Sequence, residues 1–377
     1  MNTAQVTLMG AALMGGLAMA GYAAAQDDGS APQHAVFVMT NDADANEVIA
    51  YERSEYGTLH SPRRYQTGGR GSGGTVDPLS SQASLTLSDD RSVLLATNAG
   101  SGTLSAFRVF GSHLALTDRV PTGGSEPNAV AQHGDLVYVL NTAGSSSVVG
   151  FHLWQGRLQR IPDSLRFLSG NLANSSSIAF SRDGHYLIAI ERASNKIDVF
   201  KVQSDDRLSA ITVNPSVGGG AFAGVFAPDG ALIVSETGPG GTASATISSY
   251  QIGSQSQLIP VSSALPTLGA ANCWNALTPD GRFVYASNAG SSSIAGFAIG
   301  TGGTLSALPG TVVGVNPSGS TNLDITVSAD GQFLYSLNAG SGTIGMFAIR
   351  HSDGTLTYLG VVGGLPAAAG LNGIAAN

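Results

Sequence analysis

Two glutamates stand where a recurring pattern otherwise ends in asparagine. The apolar run from Tyr186 closes on Glu191 and the run from Leu232 closes on Glu236, whereas comparable runs close on Asn41, Asn98, Asn141, Asn288 and Asn338. Two carboxylates on one side of a cavity can share a proton, ligate a divalent cation or bind sugar hydroxyls. Arg192 follows Glu191 directly and offers a plainer role, an ion pair at a solvated rim. A second concentration of chemistry is Ala271-Asn272-Cys273-Trp274-Asn275. An indole there is a platform for a sugar ring or flat ligand, with Phe222 as a second wall. A thiol is a nucleophile only beside a base, and no histidine partner is identifiable, so Cys273 reads first as a small buried hydrophobe. A third is the Gly-rich stretch His60 to Ser81 with Arg63, Arg64 and Arg70. It reads as a flexible surface loop or as a lid whose consecutive amides wrap an anion beside Arg70.

Other chemistries lack their signatures. The seven histidines (34, 60, 113, 133, 152, 185 and 351) show no ligand spacing, and the single cysteine excludes an intramolecular disulfide or a cysteine-cluster zinc site. There is no nucleophile elbow, Walker loop or dinucleotide fingerprint ahead of a helix. No cofactor is expected beyond a divalent cation at the acidic rim. The net charge is −8 and the lysines are only Lys196 and Lys201, so no basic stripe exists to hold nucleic acid.

What must position these residues is a repeat of about 50 residues, a period that marks propellers and solenoids. Each unit runs from an apolar strand through an Asp-Gly turn into a second strand ending in Asn or Glu, then into a third strand closing on an aromatic. The turns stand at Asp183-Gly184, Asp229-Gly230, Asp280-Gly281 and Asp330-Gly331, with looser versions at Asp89-Asp90 and His133-Gly134. The second-strand markers number seven. So do the aromatics: Tyr51, Phe107, Phe151, Phe200, Tyr250, Phe297 and Phe347. Alternation such as Thr103-Leu104-Ser105-Ala106-Phe107 excludes helical repeats. The fold class predicted is all-β: a seven-bladed propeller of four-stranded antiparallel blades. The last strand, around Asn372 to Ala376, should complete the blade that Ala35 to Met39 begins, because radial closure leaves only short edges.

The first 25 residues carry an apolar stretch, Val6 to Ala20, followed by Ala23-Ala24-Ala25, the small-residue pattern of a signal-peptidase site. Cleavage before Gln26 would leave one propeller domain over residues 26–377, exported to the periplasm or beyond, with no membrane span and expected to be monomeric.

The unit Ser328-Ala329-Asp330-Gly331-Gln332-Phe333-Leu334-Tyr335-Ser336-Leu337-Asn338-Ala339-Gly340-Ser341-Gly342-Thr343 resembles the repeat of the lactonase-family seven-bladed propellers, which include 6-phosphogluconolactonases and carboxymuconate-lactonizing enzymes. The resemblance implies an active site at one mouth of the central channel, built from a His and two Arg at the heads of innermost strands and a Glu after a second strand. Aligned on the turns, the His position falls on Asn128, the arginines on Ser176 and Cys273, and the Glu on Arg192, with Glu191 beside it. A phosphorylated substrate would lack its cations there. The expected ligand is therefore a small, unphosphorylated lactone or sugar derivative. If the protein hydrolyses it, Glu191 or Glu236 would activate water while Asn128, Asn141 or Trp274 positions the ring. The alternative is a non-catalytic propeller recognising an extracellular or envelope partner.

Overall fold

Seven sheets form in the computed structural model, which describes residues 34–170, 174–238 and 243–377 together with Met1. Apart from Met1, the leader expected over residues 1–25 lies outside the described residues. Blade 2 is built from Leu85–Leu87, Val93–Asn98, Thr103–Phe110 and His113–Pro121, and each later blade repeats that up-and-down order. The innermost strands are Pro127–His133, Ser175–Phe180, Ala221–Phe226, Asn272–Leu277 and Asn322–Val327 for blades 3 to 7. Second strands such as Val93–Asn98, Leu136–Asn141 and Phe333–Asn338 are buried along their whole length, because each blade is covered by a neighbour on both faces. Outer strands are mostly exposed or half-buried, as in His113–Pro121, where Leu114 alone is buried.

The ring closes as the sequence implies. Ile374–Ala376 pairs with Ala35–Met39, setting Val36 opposite Ala376 and Val38 opposite Ile374. Arg53 of the same blade reaches Asp330 of blade 7 at 2.7 Å, with its guanidinium 5.1 Å from the centre of the Phe333 ring. Six second strands end on their Asn or Glu markers, while the first ends at Met39, two residues short of Asn41. The third strands run two or three residues beyond most of their aromatic markers.

The turn grammar has a local cause. In blade 7 the Ser328 hydroxyl donates to Asp330 at 2.6 Å, the amides of Gln332 and Phe333 close back on the two side chains, and Gly331 takes the left-handed conformation at φ 70°. Ser181, Asp183 and Gly184 repeat this in blade 4. In blade 2 the turn is Ser88, Asp90 and Arg91, one residue later than the Asp89-Asp90 reading, and Arg91 itself holds φ 58°.

The stretch His60 to Ser81 is not one insertion. Leu59–Gln66 is the outer strand of blade 1, with Arg63 paired to Glu52 and Arg64 to Glu47. Only the chain beyond it crosses to blade 2, and it does so by way of the central channel.

Candidate functional site

At the end of the ring where innermost strands begin, five of them carry a β-bulge. The extra residue is Asn128 in blade 3, Ser176 in blade 4, Phe222 in blade 5 and Cys273 in blade 6, with Leu323 and Asp324 in blade 7. A bulge re-aims the residue it inserts. The positions singled out by alignment and by side-chain chemistry are thus one structural feature repeated round the channel mouth.

That mouth is filled by the protein's own chain. Ser81 donates its hydroxyl to the Asn128 carbonyl at 2.7 Å and accepts the Trp274 indole N–H at 2.8 Å. The Gln82 amide donates to the Ser176 carbonyl at 2.9 Å, and the Gln82 side chain accepts the Asn275 amide at 2.8 Å. The segment Thr75 to Ala83 therefore ties blades 3, 4 and 6 together as a plug. Trp274 is fully buried, stacked edge-on to Phe222 at 5.0 Å, and is a plug contact rather than an open platform. Cys273 is 6% exposed, and burial raises its thiol pKa, with the Asp77 charge adding to the effect and Arg192 opposing it. Asn128 Oδ1 and Asn275 Oδ1 are buried with no hydrogen-bond partner among the described residues.

Two acids that the sequence reading passed over lie in and beside the plug. Asp77 has φ 49° and accepts the Asn372 amide at 3.2 Å. Burial pushes its carboxyl up to about 7, against the pull of the Arg192 guanidinium, Asn372 and the Ser80 amide. Asp324 is buried under the plug's last residue and accepts the amides of Ile374, Ile325 and Ala83, yet burial still carries it up to about 8. Arg192 lies 5.4 Å from the centre of the Phe222 ring and has no hydrogen-bond or carboxylate partner at ion-pair distance among the described residues. A desolvated carboxyl near neutrality beside a free guanidinium is the pattern of an acid–base site. Neither Asp carries a repeat signature; each stands as a lone acid among uncharged neighbours, between Val76 and Pro78 and between Leu323 and Ile325.

Glu191 and Glu236 are placed elsewhere. Each is fully buried at a joint between blades, where the chain returning from the preceding blade crosses the end of a second strand. Glu191 accepts Ser169 Oγ at 2.9 Å, the Gly170 amide at 2.7 Å and Ser194 Oγ. Burial acts to raise its pKa, but the bonds from Ser194, Gly170 and Ser169 outweigh it and hold Glu191 low, while burial, with the Glu191 charge adding to it, raises the neighbouring Asp198 to about 6. Glu236 accepts Ser216 at 3.2 Å, the Gly218 amide at 2.9 Å and Thr246. The two have no partner in common among the described residues. Asn141 fills the equivalent joint in blade 3 and is also buried. Arg70 is exposed and contributes backbone bonds to Gly100 and Ser101. The structure thus brings together Asn128, Ser176, Phe222, Cys273, Trp274 and Arg192, and keeps Glu191, Glu236, Asn141 and Arg70 apart from them. No group of three or more His, Cys, Asp or Glu side chains placed to hold a metal ion occurs among the described residues.

The other end of the channel, bordered by the Asp-Gly turns, is open as a cavity of about 670 Å³ whose floor is Gln82 and Ala83. No helix among the described residues is long and apolar enough to cross a membrane.

A family pattern described as the lactonase seven-bladed β-propeller matches residues 22–167 and 275–360. No curated protein matches the chain. Among solved structures, a Bacteroides uniformis protein assigned by name to 6-phosphogluconolactonase is 20% identical, with 92% of this chain and 100% of that one covered at a TM-score of 0.68. The periplasmic gluconolactonase PpgL of Pseudomonas aeruginosa is 18% identical, with 90% and 98% covered at 0.68, and a Lactobacillus plantarum protein is 19% identical, with 89% and 97% covered at 0.70. At these identities the likeness shows the fold. The family pattern covers more than half of the chain and the seven blades are in place, so the chain belongs to the lactonase family of seven-bladed β-propellers.

Proposed function

We propose that the protein hydrolyses a small, unphosphorylated lactone of the sugar-acid type at the plugged mouth, with Asp77 as general base and Arg192 as the electrophilic partner. The observation that supports this most is that Asp77, a carboxyl raised by desolvation, feels the charge of Arg192, whose guanidinium rests on the Phe222 ring with no carboxylate at ion-pair distance among the described residues, at the mouth where the family's site aligns. In the reaction, the Asp77 carboxylate takes a proton from water as the oxygen attacks the lactone carbonyl. The Arg192 guanidinium stabilises the oxyanion that forms. When the ring C–O bond breaks, the Asp77 proton passes to the leaving alkoxide and a hydroxy acid results. A single arginine is too few cations for a phosphorylated sugar lactone, so 6-phosphogluconolactone should be a poor substrate.

The test is hydrolysis of glucono-δ-lactone by the wild type, Asp77→Asn and Arg192→Gln. Either substitution should lower kcat at least ~100-fold. In the wild type, kcat should rise with pH to a plateau above about 7, as Asp77 loses its proton. A second reading, a non-catalytic binding propeller, draws support from the burial of Asn128, Ser176, Cys273 and Trp274 beneath the plug. It predicts that the wild type binds the lactone by calorimetry without turning it over. We also propose export, on the strength of Ala23-Ala24-Ala25; a mature N-terminus at Gln26 in a periplasmic fraction would test it.

A further inference from the structure

We propose that the channel end bordered by the Asp-Gly turns is a second, separate binding site for an organic carboxylate with an apolar body. The cavity of about 670 Å³ there is walled by Val130, Ile178, Phe180, Phe226, Leu277 and Val327. A smaller cavity of about 340 Å³ adjoins it and shares its floor of Gln82 and Ala83. Arg91 and Arg182 border both cavities. These two guanidiniums are exposed, and neither has a hydrogen-bond or ion-pair partner among the described residues. The two acids in the lining have other partners: Asp89 accepts the Gly134 amide at 3.1 Å and lies 3.5 Å from His133 Nδ1, and Asp324, on the smaller cavity, accepts the amides of Ile325, Ile374 and Ala83.

A separate feature of the backbone points the same way. The turn position that Arg91 holds is filled by Gly184, Gly230, Gly281 and Gly331 in four other blades, all at positive φ. A side chain in the left-handed region is disfavoured at a place where glycine serves without strain. Arg91 therefore weakens its own turn, and what it adds is a second cation on the same two cavities that Arg182 borders. Two planar forks over a chamber of mixed lining, in which these apolar side chains stand among Gln132, His133, Ser181 and Thr278, suit a carboxylate head on a body with an aliphatic or aromatic part. Because Gln82 and Ala83 form the floor, this ligand does not meet Asp77, and the site is independent of the reaction proposed above.

Calorimetry with 4-phenylbutyrate and its uncharged counterpart 4-phenylbutyramide tests the assignment on the full-length protein. The acid should bind at least ten times more tightly than the amide, and this preference should shrink with added salt. The double variant Arg91→Gly, Arg182→Gln should bring the two ligands to within twofold of one another. It should melt no lower than the wild type, since it restores glycine to a glycine turn and removes an exposed side chain. Asp77→Asn should leave acid binding unaltered. Equal affinity for acid and amide, no heat from the acid at millimolar concentration, or full acid binding by the double variant would overturn the proposal. Loss of binding in Asp77→Asn would move the site to the other mouth and overturn it equally.

Discussion

Cys273 shows how position decides what a side chain can do. As the extra residue of a bulge it sits buried at the channel mouth, and burial raises its thiol so far that no thiolate forms near neutral pH. Cys273→Ser should therefore keep lactone hydrolysis within about threefold of the wild type, and a much larger loss would make the thiol a participant. Glu191 and Glu236 illustrate the converse. Since most blades carry Asn at this position, the sequence implies that Gln would be tolerated in both. The structure implies otherwise, because each carboxylate accepts three hydrogen bonds and a glutamine turns an NH₂ toward some of those donors. Leaving a buried donor unmet costs about 1–3 kcal/mol. The double variant should unfold at a clearly lower urea concentration; an unchanged midpoint would show that the joints do not need the charge.

At the scale of strands and loops, the joints between blades depend on glycines that leave room for the marker side chain. A Cβ on Gly269 would stand 2.3 Å from Asn288, and one on Gly218 would stand 1.8 Å from Glu236. Gly269→Ala should lower the melting temperature by several degrees, which a thermal scan reads directly. Truncation after Leu365 removes the strand that pairs with Ala35–Met39, together with the Asn372 contacts to Ser84 and Asp77. It strips blade 1 of its innermost strand and leaves the ring unclosed while blade 7 keeps its four strands, and it should leave no cooperative unfolding transition. These elements were legible in the sequence because turn chemistry and strand alternation are local: Ser328, Asp330 and Gly331 lie within four residues of each other. The plug was not legible, since Ser81 and Gln82 meet Asn128, Ser176 and Trp274, which stand between 47 and 193 residues away. Thr75 to Ala83 has no periodicity to announce where it goes, so nothing in the sequence ties Asp77 to the channel mouth. The family pattern also leaves out residues 168–274, the stretch that carries Ser176, Glu191, Arg192, Phe222, Glu236, Cys273 and Trp274. The chain departs from its family where most of its candidate chemistry lies.

For the molecule as a whole, two buried acids and one half-buried acid dominate how stability responds to rising pH. Asp198, Asp77 and Asp324 are raised to about 6, about 7 and about 8, in each case chiefly by burial. In the unfolded chain each would titrate near ~3.9. Between that value and its folded value, each group binds more proton in the native state than in the unfolded state. Stability therefore falls as pH rises across this window. Glu191, held low, acts in the opposite sense, and its contribution is lost as pH drops through and below the ordinary carboxylate range. The melting temperature should accordingly peak near pH ~5 and decline by several degrees toward pH ~9. Asp324→Asn separates the largest of these contributions from the rest. It keeps an acceptor for the amides of Ile325, Ile374 and Ala83 but has no proton to lose. At pH ~5, where the native aspartate is already neutral, the variant should be somewhat less stable than the wild type, because its NH₂ faces amide donors. As pH rises from ~5 toward ~8 the unfolded wild type gives up this proton while the native carboxyl keeps it, a cost the variant does not have, so the gap should close and then reverse before levelling off above about 8. Melting curves of both proteins at half-unit steps from pH 5 to 9 would show this crossing; parallel curves would mean that Asp324 is ionised throughout and that its three amide donors outweigh its burial.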